Sequence, residues 1–323
     1  IPTLVGLLLA LPTTASAEDK DPLGGFGATV IYENAVGGGS FTAGAANNPY
    51  YGMSLSIRPR YTILKEHNLT LSARIDISAT IVEPFESTNT EPHDIRVSDT
   101  RLTLGYAKFV NVGDELFTMS STFGLRFPTS LTSQFSHKIL TLAASLSAAI
   151  KPTKWVSFGV GIGVLKNFNR FTNVVLDAGD FSIPIVTRAD GNEEVGEALV
   201  ATGGGISEWI VNPSASVTFS FLEKFSVDIG FSYAAYFQYS VDTDKLDEFS
   251  SPHATEGRGV AELMTGTIEI GYQVLPYLGL AIGTSTDQTP LTSDNSDFRF
   301  PFWDTTNGAS NRQTFYFDVA GTF

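Results

Sequence analysis

Hydrophobic and polar residues alternate with a period of two in one segment of this chain after another. The clearest example runs from Met53 to Ile81, where two alternating runs flank a short polar turn at Lys65–Asn68. In the first run Met53, Leu55 and Ile57 alternate with small or charged polar residues. Because successive side chains of a β-strand point to opposite faces, this pattern predicts a hairpin with one apolar face and one polar face.

The same test applied along the chain predicts twelve strands. Their approximate spans are 26–34, 51–64, 69–81, 98–110, 116–128, 139–150, 155–166, 209–221, 225–240, 259–274, 278–285 and 312–323. The connections alternate between short ones, at 65–68, 111–115, 151–154, 222–224 and 275–277, and long ones, at 35–50, 82–97, 129–138, 167–208, 241–258 and 286–311. A tilted strand needs about 9 to 11 residues to cross a bilayer. The sequence therefore predicts an all-β fold, a membrane-spanning antiparallel up-and-down β-barrel of about twelve strands.

A soluble β-sandwich is the alternative fold, because its strands also alternate. Nearly every strand here carries a ladder of large apolar residues on one face, which a sheet facing water does not need. Aromatic residues also gather near the strand ends, as expected at the two interfaces of a membrane. They are Tyr61, Phe117, Trp155, Phe225, Tyr272 and Tyr277 near the short turns, and Tyr51, Phe127, Trp209, Phe237, Tyr239 and Phe315 near the long loops.

Composition narrows the choice of partners. The chain of 323 residues has 20 Lys and Arg against 34 Asp and Glu, a net charge of -14, so no basic surface is available for a nucleic-acid partner. Only 17% of the residues are charged, and the mean hydropathy of +0.07 is apolar for a soluble protein. There is no cysteine, which excludes disulfides, thiolate metal sites and cysteine nucleophiles.

The first 17 residues are similar to the end of a secretory signal peptide. An apolar run from Leu4 to Leu11 precedes Pro12, and small residues then end in Ala15-Ser16-Ala17, an A-x-A cleavage site. We expect removal of residues 1–17, with a single barrel domain over 18–323. The alternative is a buried N-terminal helix.

The last strand carries a resemblance to a known class of proteins. In TFYFDVAGTF the residues Phe315, Phe317 and Val319 alternate with polar or small ones, and an aromatic residue, Phe323, closes the run. Together with the signal-like start, this resembles the outer-membrane β-barrel proteins of Gram-negative bacteria, of porin or transporter type. The resemblance implies residence in the outer membrane among lipid and lipopolysaccharide, short turns in the periplasm, and recognition of Phe323 by the outer-membrane assembly machinery.

Charged residues at inward positions suggest a channel lining. Basic residues lie on the second to fifth strands and acidic ones on later strands, so the two sets should occupy opposite parts of the wall; they are Arg58, Arg60, Arg74, Arg101 and Arg126, and Asp228, Glu269 and Asp318. Opposed charges across water would orient polar solutes. The alternative is that they pair with one another, as Arg74 would with Asp76. The sixth to eighth strands present only small inward groups: Ser145, Ser147, Ser157, Gly159, Gly161, Gly163, Ser214 and Ser216.

Most of the acidic residues lie in the long loops. Clustered carboxylates suit hard divalent cations, and we expect a weak Ca²⁺ or Mg²⁺ site at Asp242, Asp244, Asp247 and Glu248, with no other cofactor. The cluster lacks the Gly and terminal Glu of an EF-hand loop, so a plain solvated surface is the alternative reading. The longest loop, 167–208, is the best candidate for a constriction. It has Gly203-Gly204-Gly205 as a flexible joint, and we expect its apolar stretch Phe181 to Val186 to fold inward or to form a short extra hairpin.

The sequence offers little support for an enzymatic function. The four histidines are His67, His93, His137 and His253, and none is part of the His-x-Ser pattern of outer-membrane lipid hydrolases. The doublets His93-Asp94, with Glu91 nearby, and Ser136-His137 are poor acid–base pairs, because adjacent residues of a strand point to opposite faces. We therefore predict a monomeric or weakly oligomeric channel, not an enzyme, for passive diffusion of small solutes. The alternatives are a structural or surface-recognition barrel with a blocked lumen, and a lipid- or peptide-hydrolysing barrel.

Overall fold

The structure, a computed structural model, describes residues 25–41, 49–82, 95–113, 115–177, 199–222, 224–242, 257–292, 295–303 and 313–323. Twelve antiparallel strands close into one barrel. They are β1 (Phe26–Gly37), β2 (Tyr51–Leu64), β3 (Leu69–Val82), β5 (Thr100–Val112), β6 (Phe117–Phe127), β7 (Lys138–Thr153), β8 (Val156–Asn169), β11 (Ser207–Phe221), β12 (Phe225–Val241), β13 (Gly257–Leu275), β14 (Leu278–Gln288) and β15 (Gln313–Thr322). Each strand pairs with its neighbour in this order, and the predicted fold is confirmed.

The barrel closes where the first strand meets the last. Strands β1 and β15 pair from Thr29, opposite Thr322, to Gly37, opposite Thr314. Phe323 extends this seam, because it exchanges both backbone hydrogen bonds with Ala28, at 3.0 and 2.9 Å. No strand of the barrel is therefore left with an unpaired edge, which is the condition for crossing a membrane with β-structure.

The remaining described elements lie in the long connections. They are a 3₁₀ turn, η1 (Gly38–Phe41), the strand β4 (Ile95–Val97), the helix α1 (Leu131–Phe135), and a hairpin of β9 (Asn173–Asp177) and β10 (Leu199–Gly205). The longest loop thus contains a hairpin, whereas the apolar stretch 181–186, expected to fold inward or form one, lies outside the described residues. Its second strand contains the three glycines expected to act as a flexible joint; Gly205 pairs with Asn173, and the register shifts between Ala201 and Gly205.

The two faces of the wall carry the predicted chemistry. On β8 the side chains of Phe158, Val160 and Ile162 point outward and are exposed, while small residues alternate with them on the inner face. On β12 the polar inner face is largely buried, and residues such as Val227 and Ile229 form the outer face. The outside of the barrel is therefore an apolar belt that matches lipid, and the inside is polar.

The aromatic residues predicted for the interfaces are found near both ends of this belt. At the end with the short turns, Tyr61, Trp155 and Tyr277 are exposed on the barrel. At the other end Trp209 and Phe315 are exposed, and the Phe315 ring packs edge-on against that of Phe41, on η1. Amphipathic and aromatic rings are favoured at the depth of the lipid headgroups, and these positions fit the two interfaces of a membrane.

Part of the loop after β14 lies on the outside of the barrel. The hydroxyl of Thr286 donates to the carbonyl of Phe302 at 2.6 Å, and Gln288 donates to the carbonyl of Phe300 at 2.5 Å. A side chain at Gly266 would meet the Pro301 carbonyl oxygen at 2.4 Å, so the glycine permits this close approach. The segment 298–303 therefore covers outward polar residues of β13 and β14 and does not enter the lumen.

Several sequence-based expectations fall outside the described residues. These include the signal peptide at 1–17, most of the acidic loop residues, and Asp244, Asp247 and Glu248 of the expected cation site; Asp242 alone of that set is described. Within the described parts of the chain, no helix is long and apolar enough to cross a membrane.

The register of the strands predicts which positions contact lipid. Val217 and Ile229 lie opposite each other on the outer face, so replacing either by Arg should lower the free energy of unfolding by roughly 2 to 4 kcal/mol near the midplane. Urea unfolding of the barrel in lipid vesicles measures this cost.

Cysteine labelling provides the control, because the native chain has no cysteine. Cysteine at Ala144, Ile162, Val217 or Ile229 should react slowly with a water-soluble maleimide, and cysteine at Ser147 or Ser216 rapidly. Equal rates in the two sets would mean that the assignment of faces is inverted, as a one-residue shift would make it.

Candidate functional site

Four arginines form one row across the inner wall. Arg74 lies directly opposite Arg101 on the neighbouring strand, and Arg101 directly opposite Arg126. The pairing of β2 with β3, in which Ile57 faces Ile75, places Arg58 beside Arg74. Directly opposite side chains have Cβ atoms about 4.5 to 5.5 Å apart, and like charges in such pairs repel. The row therefore concentrates positive charge on β2, β3, β5 and β6.

The members of this arginine row differ in their partners. Arg74 is paired with Asp76, with its Nε at 2.7 and 2.8 Å from the two carboxylate oxygens. This pairing is the alternative considered from the sequence. Arg58 donates from Nε to the hydroxyl of Ser56 at 2.8 Å.

The other two arginines of the row have no such partner. Within the described part of the chain, neither Arg101 nor Arg126 makes a hydrogen bond or ion pair, and the Nε of Arg101 is buried without an acceptor. A buried donor without an acceptor costs free energy, so this end of the row has hydrogen-bonding capacity that is not satisfied.

Arg60 lies apart from this row. It faces inward opposite Gly27, nearer the end with the short turns, and it is exposed. The five arginines predicted to line the lumen are thus all inward, but they divide into a row of four and one isolated residue near the mouth.

Four carboxylates gather on a different part of the wall. Glu33 lies directly opposite Asp318 where β1 meets β15, and Asp228 lies directly opposite Glu269 where β12 meets β13. Asp228 accepts a hydrogen bond from the Thr218 hydroxyl at 2.5 Å. The predicted inward acids are all found here, together with Glu33, which the sequence analysis missed because β1 alternates only weakly.

A tyrosine joins the two pairs of acids. The hydroxyl of Tyr316 donates to Glu269 at 2.9 Å across Gly283, which lies between them on β14. A side chain at Gly283 would come within 2.5 Å of the Tyr316 ring, so this glycine opens the path for the contact. The acidic cluster is therefore tied together across β13, β14 and β15.

A neutral sector on β7, β8 and β11 separates the basic and acidic parts of the wall on one side of the barrel, and on the other side the two parts meet where β1 pairs with β2. The predicted small residues of β7, β8 and β11 do face inward, and Ser145 bonds the hydroxyl of Thr122 at 2.7 Å. Thr122 and Ser147 are exposed although they point into the barrel. Solvent therefore reaches the inner wall at this level.

The neutral sector also has an apolar part, which the sequence analysis missed. One row of the inner face crosses β7, β8, β11 and β12, and each of its residues lies directly opposite the next. The row consists of Ala143, Leu165, Ile210 and Tyr236. All four are partly accessible. This apolar row is the next inward row to that of Arg126, since Gly124, two residues before Arg126, pairs with Ala143. The prediction that these strands present only small inward groups is therefore wrong near their outer ends.

A polar network anchors the segment that carries α1 to the barrel near the arginine row. Asp99 accepts hydrogen bonds from the hydroxyls of Ser130 and Ser133, at 2.7 and 2.6 Å, and from Lys138 at 3.3 Å. Burial opposes ionisation of Asp99, but the hydrogen bonds from the two serines and the charge of Lys138 outweigh it, so the pKa of Asp99 lies below its usual value. The segment 128–137 is thus held by a carboxylate whose oxygens are already occupied.

The expected cation site lies mostly outside the described residues, and of the two enzyme doublets only Ser136-His137 is described. Among the residues that the structure describes, no three His, Asp or Glu side chains are arranged to hold a metal ion. The hydroxyl of Ser136 donates to the carbonyl of Ser133, and the ring of His137 packs edge-on against Phe171 at 5.0 Å between centroids. Ser136 and His137 therefore do not form an acid–base pair. Glu91, His93, Asp94 and His253 lie outside the described residues.

The barrel is similar to solved structures of outer-membrane proteins. An outer-membrane channel from Pseudomonas putida F1 matches with a TM-score of 0.53 and 11% identity, covering 95% of this chain and 100% of that one. The KdgM porin matches with a TM-score of 0.44 and 9% identity over 91% of this chain and 99% of that one. The NanC porin matches with a TM-score of 0.45 and 9% identity, over 91% and 98%.

The similarity to the Pseudomonas putida F1 channel supports the fold. The chain is a closed twelve-stranded β-barrel of the kind found in bacterial outer-membrane channels, and the predicted residence in the outer membrane agrees with this fold and with the apolar outer belt. No protein-family model matches the sequence, and no curated protein matches it either.

The Asp99 network predicts how the segment 128–137 responds to mutation and pH. Asp99→Asn removes the charge that the serines and Lys138 stabilise, so amide exchange in α1 should accelerate about tenfold at neutral pH. Because the folded-state pKa of Asp99 is depressed, the anchoring is present above the ordinary aspartate pKa of about 3.9 and is lost as the pH falls through the folded value. Hydrogen–deuterium exchange measures the first effect, and cleavage by an acid protease across that pH range the second.

Ser136→Ala is the matched control for this experiment. It removes a hydroxyl from the same segment without touching Asp99, so α1 should keep most of its protection. Equal protection in Asp99→Asn and the wild type would show that the network does not anchor the segment.

Proposed function

We propose that this protein is an outer-membrane channel for the passive diffusion of small solutes. The observation that carries the proposal is the exposure of Thr122 and Ser147, two residues that point into the barrel. A barrel filled by side chains or by an inserted segment would cover such positions. Water at the inner wall is instead what a conducting lumen requires.

The distribution of charge inside the barrel supports the same proposal. Basic side chains occupy β2 to β6, acidic ones β12 to β15 and β1, and small residues much of the wall between them. Charges are costly to place in a closed interior unless they meet water or a partner. Opposite signs on different sectors of one wall produce a transverse field, which orients polar solutes as they pass.

The described loops also favour an accessible lumen. Segment 298–303 lies on the outside of the barrel, and the segment that carries α1 is anchored at the rim through Asp99. The protein of similar fold from Pseudomonas putida F1 is an outer-membrane channel. A structural or recognition barrel with a blocked lumen remains the competing function, and conductance separates the two.

Conductance in planar bilayers tests the channel directly. The purified protein should give discrete conductance steps, and Arg74→Glu with Arg101→Glu should shift the reversal potential in a salt gradient toward cation preference, because the reversed charges attract cations into the lumen.

Leu102→Ala and Leu125→Ala serve as controls for this measurement. Both residues lie beside the arginine row on β5 and β6 but point outward, so the reversal potential should stay at the wild-type value. Absence of both conductance and solute uptake into liposomes would reject the channel and favour the blocked barrel.

The role of Phe323 is tested separately, by measuring assembly of the protein into the outer membrane. We propose that the ring of Phe323 is recognised by the assembly machinery, since the ring is exposed while its backbone closes the β1–β15 seam. Phe323→Ala keeps both backbone hydrogen bonds and should nevertheless lower the amount of protein in the outer membrane several-fold. Phe323→Tyr, which retains an aromatic ring, should assemble at wild-type levels, and wild-type levels of Phe323→Ala would refute recognition of the ring.

A further inference from the structure

The unpartnered end of the arginine row and the apolar row beside it form one composite surface. Arg101 and Arg126 are adjacent on β5 and β6, and the next inward row continues from Gly124 through Ala143, Leu165 and Ile210 to Tyr236. Tyr236 and Arg126 lie within electrostatic range of each other, although β6 and β12 are not neighbouring strands. The side chain of Tyr236, at the far end of the apolar row, is therefore directed toward Arg126 inside the barrel.

We infer that this surface binds an organic carboxylate with an apolar body, whose carboxylate contacts Arg101 and Arg126 and whose body lies against Leu165, Ile210 and Tyr236. The inference rests on the proposed channel and names its solute class. It identifies a binding site within the lumen, beyond a general preference for anions.

Arg101 and Arg126 are the reason why we infer a carboxylate group on the ligand. The buried Nε of Arg101 has no acceptor, and Arg126 has no ion-pair or hydrogen-bond partner in the part of the chain that the structure describes. A guanidinium presents a planar fork of donors that matches two carboxylate oxygens, and a bridging anion would also relieve the repulsion between directly opposite arginines.

The nearest carboxylates do not already fill this role. Asp99 is within electrostatic range of Arg101 and Arg126, but its oxygens accept from Ser130, Ser133 and Lys138. Asp76 is bound on both oxygens by Arg74. Each of these acids is thus matched by its own cation, and Arg101 and Arg126 are left without a carboxylate partner.

The apolar row supplies the reason for an apolar body. Leucine and isoleucine on the inner wall of a polar channel contact water at a cost in free energy that grows with their exposed apolar surface. A hydrocarbon or aromatic group covering Leu165 and Ile210 would recover part of that free energy, and the Tyr236 ring offers a flat face for stacking. Inorganic phosphate or acetate satisfies the arginines but leaves this row uncovered.

Equilibrium binding of defined probes to the full-length protein in detergent micelles tests the site. The probes are benzoate, acetate, benzyl alcohol and inorganic phosphate, titrated calorimetrically. Benzoate should bind at least about tenfold more tightly than acetate, phosphate or benzyl alcohol, because it alone presents both groups. Affinity for benzoate no higher than that for acetate or phosphate would reduce the site to a general anion surface and overturn the inference.

Variants then assign each half of the site. Arg101→Gln with Arg126→Gln should weaken benzoate binding about tenfold or more, and Ile210→Ala should weaken benzoate binding while leaving acetate binding unchanged. Arg60→Gln is the matched control, since that inward arginine lies outside the row and should leave benzoate binding at the wild-type level.

Two further readouts keep the outcome unambiguous. Arg101→Gln should raise the midpoint of thermal unfolding without ligand, because it removes repulsion from Arg74 and Arg126, so weaker binding cannot be ascribed to misfolding. Benzoate should also reduce chloride current through the open channel. Binding without any conductance would reject the proposed channel but leave the site intact, whereas conductance without arginine-dependent benzoate binding would reject the site and leave the channel intact.

Discussion

Backbone hydrogen bonding is the constraint on which the rest of this molecule depends. Inside a bilayer an unpaired amide or carbonyl costs several kcal/mol, so a sheet can cross only if its first and last strands pair. Here β1 pairs along β15, and Phe323 adds the last two bonds of the seam. Closure fixes the register between every pair of neighbours around the ring, because each strand is held on both sides. The positions of all inward side chains follow from that register.

The same constraint explains why charges are found together inside. An outward position must be apolar along the membrane-spanning part of each strand, which leaves only the inward positions for charged residues. Arginines on four successive strands then fall in one row because the register aligns them, and the acids of β12, β13, β15 and β1 form a second group with Tyr316 between them. Charge that is dispersed in the sequence becomes segregated on the wall.

Most of the fold was predictable from the sequence, because a period of two is a property of each strand alone. The twelve strands, the short turns and the inward direction of Arg74 or Glu269 all follow from local alternation. The alignment of Arg58, Arg74, Arg101 and Arg126 was not predictable, because it depends on the stagger between strands, which no single strand encodes.

Other features of the structure were also not predictable from the sequence, again for physical reasons. Leu165 and Ile210 are apolar residues on the inner face. Alternation alone assigns large apolar residues to the lipid side. It does not distinguish the two faces at strand ends, where the barrel rises beyond the apolar belt. The covering segment 298–303 has no period, and only the match between its carbonyls and the polar side chains of Thr286 and Gln288 places it on the outer wall.

The coupling between register and lumen chemistry has a consequence for how such a barrel changes its solute preference. A shift of two residues between β5 and β6 would keep every apolar residue on the lipid side, yet it would separate Arg101 from Arg126 and disrupt the seam elsewhere in the closed ring. The register is thus held by pairing around the whole circumference, whereas inward side chains of the neutral sector, such as Thr122 and Ser147, face solvent. Substitution at single inward positions is therefore the route by which the wall can change its chemistry at small cost in stability.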